Sequence, residues 1–114
     1  MNGEEADCAA VIDSLTEVKY WVRNIERQPD YAFHLPTSTD NFYPDFVALL
    51  NDGRLFAIEY KGGDRISNDD SKEKDNIGKL WESKSNGKCL FLMATAKEFA
   101  NGTTLYDQIK NKLL

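Results

Sequence analysis

The stretch that most constrains this chain is FYPDFVALLNDGRLFAIEYKGG, Phe42 to Gly63. It is two apolar runs of strand length separated by Asn51-Asp52-Gly53, a composition that predicts a β-hairpin. The turn permits two registers. With a two-residue Asp52-Gly53 loop, Leu50 faces Leu55 and Asp45 faces Tyr60, so Asp45 and Glu59 point to opposite faces. With a three-residue loop, Leu50 faces Arg54, Gly53 takes the left-handed position of a G1 bulge, and Asp45 lies opposite Glu59. That second register places Asp45, Glu59 and Lys61 on one face, which continues as Val47, Leu49, Leu55 and Ala57. The other face carries Phe46, Ala48, Leu50, Phe56, Ile58 and Tyr60.

Two carboxylates on neighbouring strands have Cβ atoms about 5 Å apart. They repel, and dehydrating each costs several kcal/mol without compensation. Lys61 neutralises only one of them. A divalent cation would satisfy both, and ligation by oxygen alone favours Mg²⁺ or Mn²⁺. The plain structural alternative treats Asp45 as a strand-start residue after Pro44, with Glu59 and Lys61 as a charge pair on an edge strand.

Around the hairpin, Val11, Ile12, Leu15, Val18, Trp21, Val22 and Ile25 recur at spacings of three and four. They predict a helix from Glu4 to about Ile25, with Ser14–Glu17 a possible interruption. Gln28-Pro29-Asp30 breaks the pattern. Tyr31–Leu35 reads as a short strand and Pro36–Asn41 as a polar loop. Asp69 or Asp70 caps a helix reaching about Ser85, with Ile77, Leu80 and Trp81 inward and Asn86-Gly87 ending it. Lys88–Ala94 is a continuous apolar run and reads as a central strand. Thr104–Leu113 is a last helix carrying Leu105, Ile109 and Leu113. Trp21 and Trp81 read as core residues. The expected fold is α/β (α+β), a central mixed four-stranded sheet flanked by helices on both faces, in the order α-β-β-β-α-β-α.

Composition excludes several classes. The 114 residues are 41% hydrophobic and 29% charged, which suits one domain spanning 1–114. No apolar run approaches the roughly 20 residues of a membrane helix, and the N-terminus lacks the pattern of a secretory signal. Cys8 and Cys89 have no metal-finger spacing and read as buried or half-buried cytosolic thiols. A single histidine, His34, rules out a multi-histidine zinc site. The net charge of −5 argues against a free-standing nonspecific DNA binder, yet allows a catalytic module delivered to nucleic acid by something else.

At Pro44-Asp45 and Glu59-Tyr60-Lys61 the sequence resembles the PD-(D/E)XK nuclease superfamily, and the order of elements resembles its restriction-endonuclease-like core. Val18–Asn24, Phe33–Pro36, Tyr43–Val47, Asp52–Arg54 and Ile58–Gly62 look like the C-terminal endonuclease domain of the restriction (Res) subunit of type III restriction enzymes. Lys72–Lys74 and Leu80–Glu82 look similar too. The resemblance implies Mg²⁺-dependent hydrolysis of double-stranded DNA, with Mn²⁺ able to substitute. Asp45 and Glu59 would ligate the metal with the Tyr60 backbone carbonyl, and Lys61 would orient the attacking water and stabilise developing charge. Glu5, with Glu4 next, is the candidate first-helix ligand. Lys72, Lys74 and Lys79 are candidate phosphate contacts. The chain has no GxxxxGK[ST] motif. An ATP-using, helicase-like motor is therefore expected elsewhere in a larger polypeptide from which this module is excised, alongside a methyltransferase modification subunit, in the cytoplasm. The competing hypothesis is a nuclease-like interaction module that docks to protein or DNA and cleaves nothing.

Overall fold

The computed structural model describes residues 3–24, 35–36, 41–62 and 69–114. In chain order the elements are α1 (Gly3–Ser14), β1 (Val18–Arg23), β2 (Leu35–Pro36), β3 (Asn41–Phe42), β4 (Phe46–Leu50), β5 (Leu55–Lys61), α2 (Asp69–Lys84), β6 (Cys89–Thr95) and α3 (Leu105–Lys112). A short 3-10 turn, Lys97–Phe99, precedes α3. The main sheet runs β1-β4-β5-β6, and β2 and β3 form a separate two-stranded ribbon. β1/β4 and β4/β5 are antiparallel; β5/β6 is parallel, joined through α2. The chain is thus α+β, with a mixed four-stranded sheet and three helices among the described residues. None of the described helices is long and apolar enough to cross a membrane.

The hairpin adopts the three-residue register. Phe46 pairs with Ile58 and Leu49 with Leu55. The Leu50 N–H donates to the Arg54 carbonyl at 2.9 Å, and the Gly53 N–H donates to the Leu50 carbonyl at 3.0 Å. Gly53 has φ of +92°, a conformation open to glycine and strained for other residues. This register fixes which side chains share a face. Phe46, Ala48, Leu50, Phe56, Ile58 and Tyr60 pack with Cys8 and Ile12 of α1 and Ile109 of α3. Ala57 packs on the opposite face with Phe91, Ile77 and Trp81. Helices therefore cover both faces, α1 and α3 on one and α2 on the other.

The expected helix from Glu4 to Ile25 is corrected. α1 stops at Ser14, whose hydroxyl donates to the Val11 carbonyl at 2.7 Å, and the chain turns into β1. The register of β1 against β4 shifts between Val18 and Tyr20. This bulge lets Val18 and Trp21, three residues apart, pack against the same core. A spacing of three on one face imitates a helix, which is why the periodicity misleads here. Among the described residues the sheet's first strand is consequently β1. Residues 31–34, including His34, lie outside the described residues, and Leu35 belongs to the β2/β3 ribbon.

Two further expectations change. Leu80 does not face inward: it is 54% exposed, while Ile77 and Trp81 pack as expected. Beside them Gly78 is buried, and a Cβ there would stand 2.3 Å from the Phe91 ring. Glycine thus lets α2 lie close on β6. β6 itself pairs only with β5 among the described residues, so it is an edge and not a central strand. Its apolar run reflects cover by α2 and α3 on its two faces, since Ala94 packs with the α1/α3 core and Phe91 with the α2 core. Side chains cap much of its outer edge. The N–H groups of Cys89, Phe91 and Thr95 donate to Ser85 Oγ at 3.0 Å, Glu82 Oε1 at 2.7 Å and Gln108 Oε1 at 3.0 Å. With these three outward N–H groups occupied, the edge is a poor template for another strand.

Candidate active site

The site lies where the hairpin opens, at the end opposite its turn. The paired residues run out at Phe46 and Ile58. One step further, side chains replace the main-chain ladder. The Asp45 N–H donates to Glu59 Oε1 at 3.1 Å, and the Tyr60 N–H donates to Asp45 Oδ2 at 2.8 Å. Pro44 is buried immediately before, and the Asp45 carbonyl accepts the Asn24 N–H at 2.8 Å, which ties in the end of β1. The two carboxylates are held in the mouth between β4 and β5 by reciprocal bonds, each across the strand gap.

Burial gives the pair its character. Glu59 is 4% exposed and Lys61 8%. Lys61 Nζ stands 3.0 Å from Glu59 Oε2, and Lys74 Nζ of α2 stands 3.9 Å from the same oxygen. Even so, the Glu59 carboxyl is pushed up to about 7. Loss of water is the largest cause and the charge of Asp45 the next, with Lys61 and Lys74 opposing them. Asp45 is also raised, by burial first and then by Glu5, against the stabilising Tyr60 N–H and Lys61. The pair is an anion site whose charge is only partly compensated by the protein.

The expected residues converge in part. Asp45, Glu59 and Lys61 come together as the hairpin register requires. In an extended strand the N–H and C=O of one residue point the same way, so the Tyr60 carbonyl faces the Asp45 side of β5. Glu5 approaches on α1 closely enough to raise both Asp45 and the buried Cys8 thiol, which burial pushes up to about 12. It also lies 3.7 Å from Arg23. Glu4 instead lies by the Tyr60 ring on the far side of the strand. Among the described residues, no group of three or more His, Cys, Asp or Glu side chains is arranged to hold a metal ion. The donor set is therefore the Asp45–Glu59 pair and neighbouring carbonyl oxygen.

Of the three candidate phosphate contacts, Lys72 and Lys79 line a cleft between α2 and β6, and Lys79 pairs with Asp75 at 2.7 Å. Lys74 turns toward the site, near Glu59 and 5.6 Å over the Phe42 ring. Its place in the charge network was missed as a site feature. The signal was available: Ser71, Lys74, Gly78 and Trp81 recur at spacings of three and four, and Ser71 and Gly78 are buried.

Compared with known proteins, the chain matches no protein-family model, no curated protein and no solved structure.

Proposed function

We propose that this protein is a metal-dependent endonuclease module of the PD-(D/E)XK kind, hydrolysing phosphodiester bonds in double-stranded DNA. The observation that carries the reading is the buried Asp45–Glu59 pair with Lys61 beside it. Folding brings two carboxylates together out of water, and even with Lys61 and Lys74 beside them both stay raised by burial, so a divalent cation between them would stabilise their charged forms. The donors fit a hard divalent cation such as Mg²⁺ or Mn²⁺, since they are oxygen only and two in number, leaving positions for water and phosphate. Such a cation, held by Asp45, Glu59 and the Tyr60 carbonyl, supplies an acidified water and neutralises charge at phosphorus.

The chain's own residues supply the rest. Lys61 presents an ammonium donor at the edge of the pair, placed to orient the attacking water and hydrogen-bond the phosphate oxygen that gains charge. Lys74 puts a second cation on Glu59, so that Glu59 keeps a positive neighbour when Lys61 turns to substrate. The reading further holds that this is the endonuclease part of a type III restriction subunit. A linked motor that uses ATP, together with a modification subunit, delivers DNA to a module whose own net charge is −5, all in the cytoplasm, where Cys8 and Cys89 stay as the free thiols observed.

The test is cleavage of labelled double-stranded DNA with Mg²⁺ or Mn²⁺, comparing the protein with Asp45→Ala, Glu59→Ala and Lys61→Ala. Cleavage that is lost in all three, with circular dichroism unchanged, supports the enzyme. Absence of cleavage in the wild type, with DNA or partner binding equal in all four proteins, supports the interaction module instead.

A further inference from the structure

Beside the site lies a cleft of about 380 Å³ between α2 and the outer side of β6. Its floor is apolar, formed by Phe91, Leu92 and Met93, and Phe99 stands at its border. Phe99 is 58% exposed, an aromatic that the core does not use. Lys72 and Lys79 of α2 and Lys112 of α3 rim the cleft, with Asp75 the lining carboxylate among the described residues. In a chain of net charge −5, the balance of these described lining residues is positive. The cleft reaches the candidate active site through Thr95, which pairs with Lys61 across the sheet and donates its hydroxyl to the Lys61 carbonyl at 3.1 Å.

Three arguments narrow the occupant. An extended peptide adding to the sheet is disfavoured, because side chains already take the outward N–H groups of Cys89, Phe91 and Thr95. A duplex is excluded by size, since its major groove alone is about 12 Å wide. An apolar floor with an exposed aromatic and a lysine rim matches a base with its flanking phosphates. The Lys79–Asp75 ion pair does not oppose this, because Lys79 is largely exposed and such pairs are worth little. Lys112 is held half-buried on both oxygens of Glu82, which fixes its ammonium at the rim and leaves it a third N–H donor.

We propose that this cleft seats an unpaired nucleotide of a DNA strand running past the active site, its base on Phe99 and the β6 floor and its phosphates on Lys72, Lys79 and Lys112. The inference rests on the nuclease reading and extends it: the strand leaves the duplex on the β6 side of Lys61. Binding of a 5′-labelled oligodeoxythymidylate, followed by fluorescence anisotropy without metal, tests it against a duplex of equal length. The single strand binds more tightly than the duplex. Phe99→Ala weakens single-strand binding about tenfold, as expected for one lost stacking contact, and Phe99→Trp restores it. Lys72→Ala lowers the salt slope by about 0.7, the value for one phosphate contact on a single strand. Phe99→Ala binding that equals wild type, or a duplex that binds as tightly as the single strand, overturns the inference. The two readings fail separately. Phe99-dependent binding in a protein that never cleaves defeats the nuclease reading alone. Metal-dependent cleavage, with single-strand binding indifferent to Phe99, defeats the cleft alone.

Discussion

The two ends of the β4–β5 hairpin use the same ingredients with opposite results. At the turn, Asp52 accepts the Arg54 N–H at 3.0 Å and pairs with Arg54 Nε at 2.7 Å. Its carboxyl is held below the usual range, chiefly by that backbone N–H. At the open end, Asp45 accepts the Tyr60 N–H at a similar 2.8 Å and has Lys61 nearby, yet its carboxyl is raised, as is that of Glu59. Water makes the difference. Asp52 stays hydrated, so every donor adds to its stability as an anion. Asp45 and Glu59 have lost their water and face one another, and two or three donors do not restore what was lost. One end of the hairpin is a turn with a charge pair. The other holds unfavourable charge in place, which is the usual mark of a functional site.

Under the proposed nuclease reading, the largest effect that separates the two ends is on DNA cleavage. Lys61→Ala should lower DNA cleavage by about 10²- to 10³-fold, the scale of losing one charge-stabilising donor. Arg54→Ala, which removes the matching cation at the turn, should leave cleavage unchanged. Single-turnover cleavage of the two variants measures this, and equal losses would erase the distinction.

A stability contrast comes next. Asp45→Asn keeps an acceptor for the Tyr60 N–H while removing the charge that raises Glu59. In metal-free solution at mildly alkaline pH the variant should be more stable than wild type by about 1–2 kcal/mol, read from urea unfolding. Loss of stability would mean that the Asp45 charge is compensated in the folded protein.

The pH dependence has opposite signs at the two ends. Glu59 is raised from 4.5 to about 7. Its share of stability is therefore fully present below 4.5 and is lost as pH rises toward 7, a change of about 3 kcal/mol. Asp52 is lowered from 3.8, so its contribution is present above 3.8 and lost as pH falls through its lower folded value. Metal-free denaturant midpoints between pH 4.5 and 7 should decline in wild type and flatten in Glu59→Gln. A flat wild-type profile would contradict the raised Glu59.

The smallest effect belongs to the turn itself. Gly53→Ala meets no neighbouring atom but must adopt φ near +92°. It should cost about 1 kcal/mol while keeping the register, and thus the metal affinity that the proposed function requires. If metal affinity fell with it, the register would depend on Gly53 more than on the apolar faces.

The hairpin was legible because turn chemistry and alternation are both local. Asp45, Glu59 and Lys61 stand out as charges inside runs that are otherwise apolar. β1 was not legible, since a bulge places Val18 and Trp21 on one face at helical spacing. The edge position of β6 was hidden for another reason: the groups that seal it, Glu82, Ser85 and Gln108, come from a helix, a turn and a second helix. The approach of Lys74 to Glu59 depends on the phase of α2 and on Gly78 admitting the Phe91 ring. Those are tertiary facts, fixed by how elements meet and not by any one segment.

The central claim is that Asp45 and Glu59 form a pair that needs a cation. Calorimetric titration of Mn²⁺ into the wild type and Asp45→Asn, without DNA and at mildly alkaline pH, tests it most directly. The account predicts that the wild type binds Mn²⁺ and that Asp45→Asn, folded and at least as stable, does not. Equal binding by both proteins, or none by the wild type at millimolar metal, would contradict it.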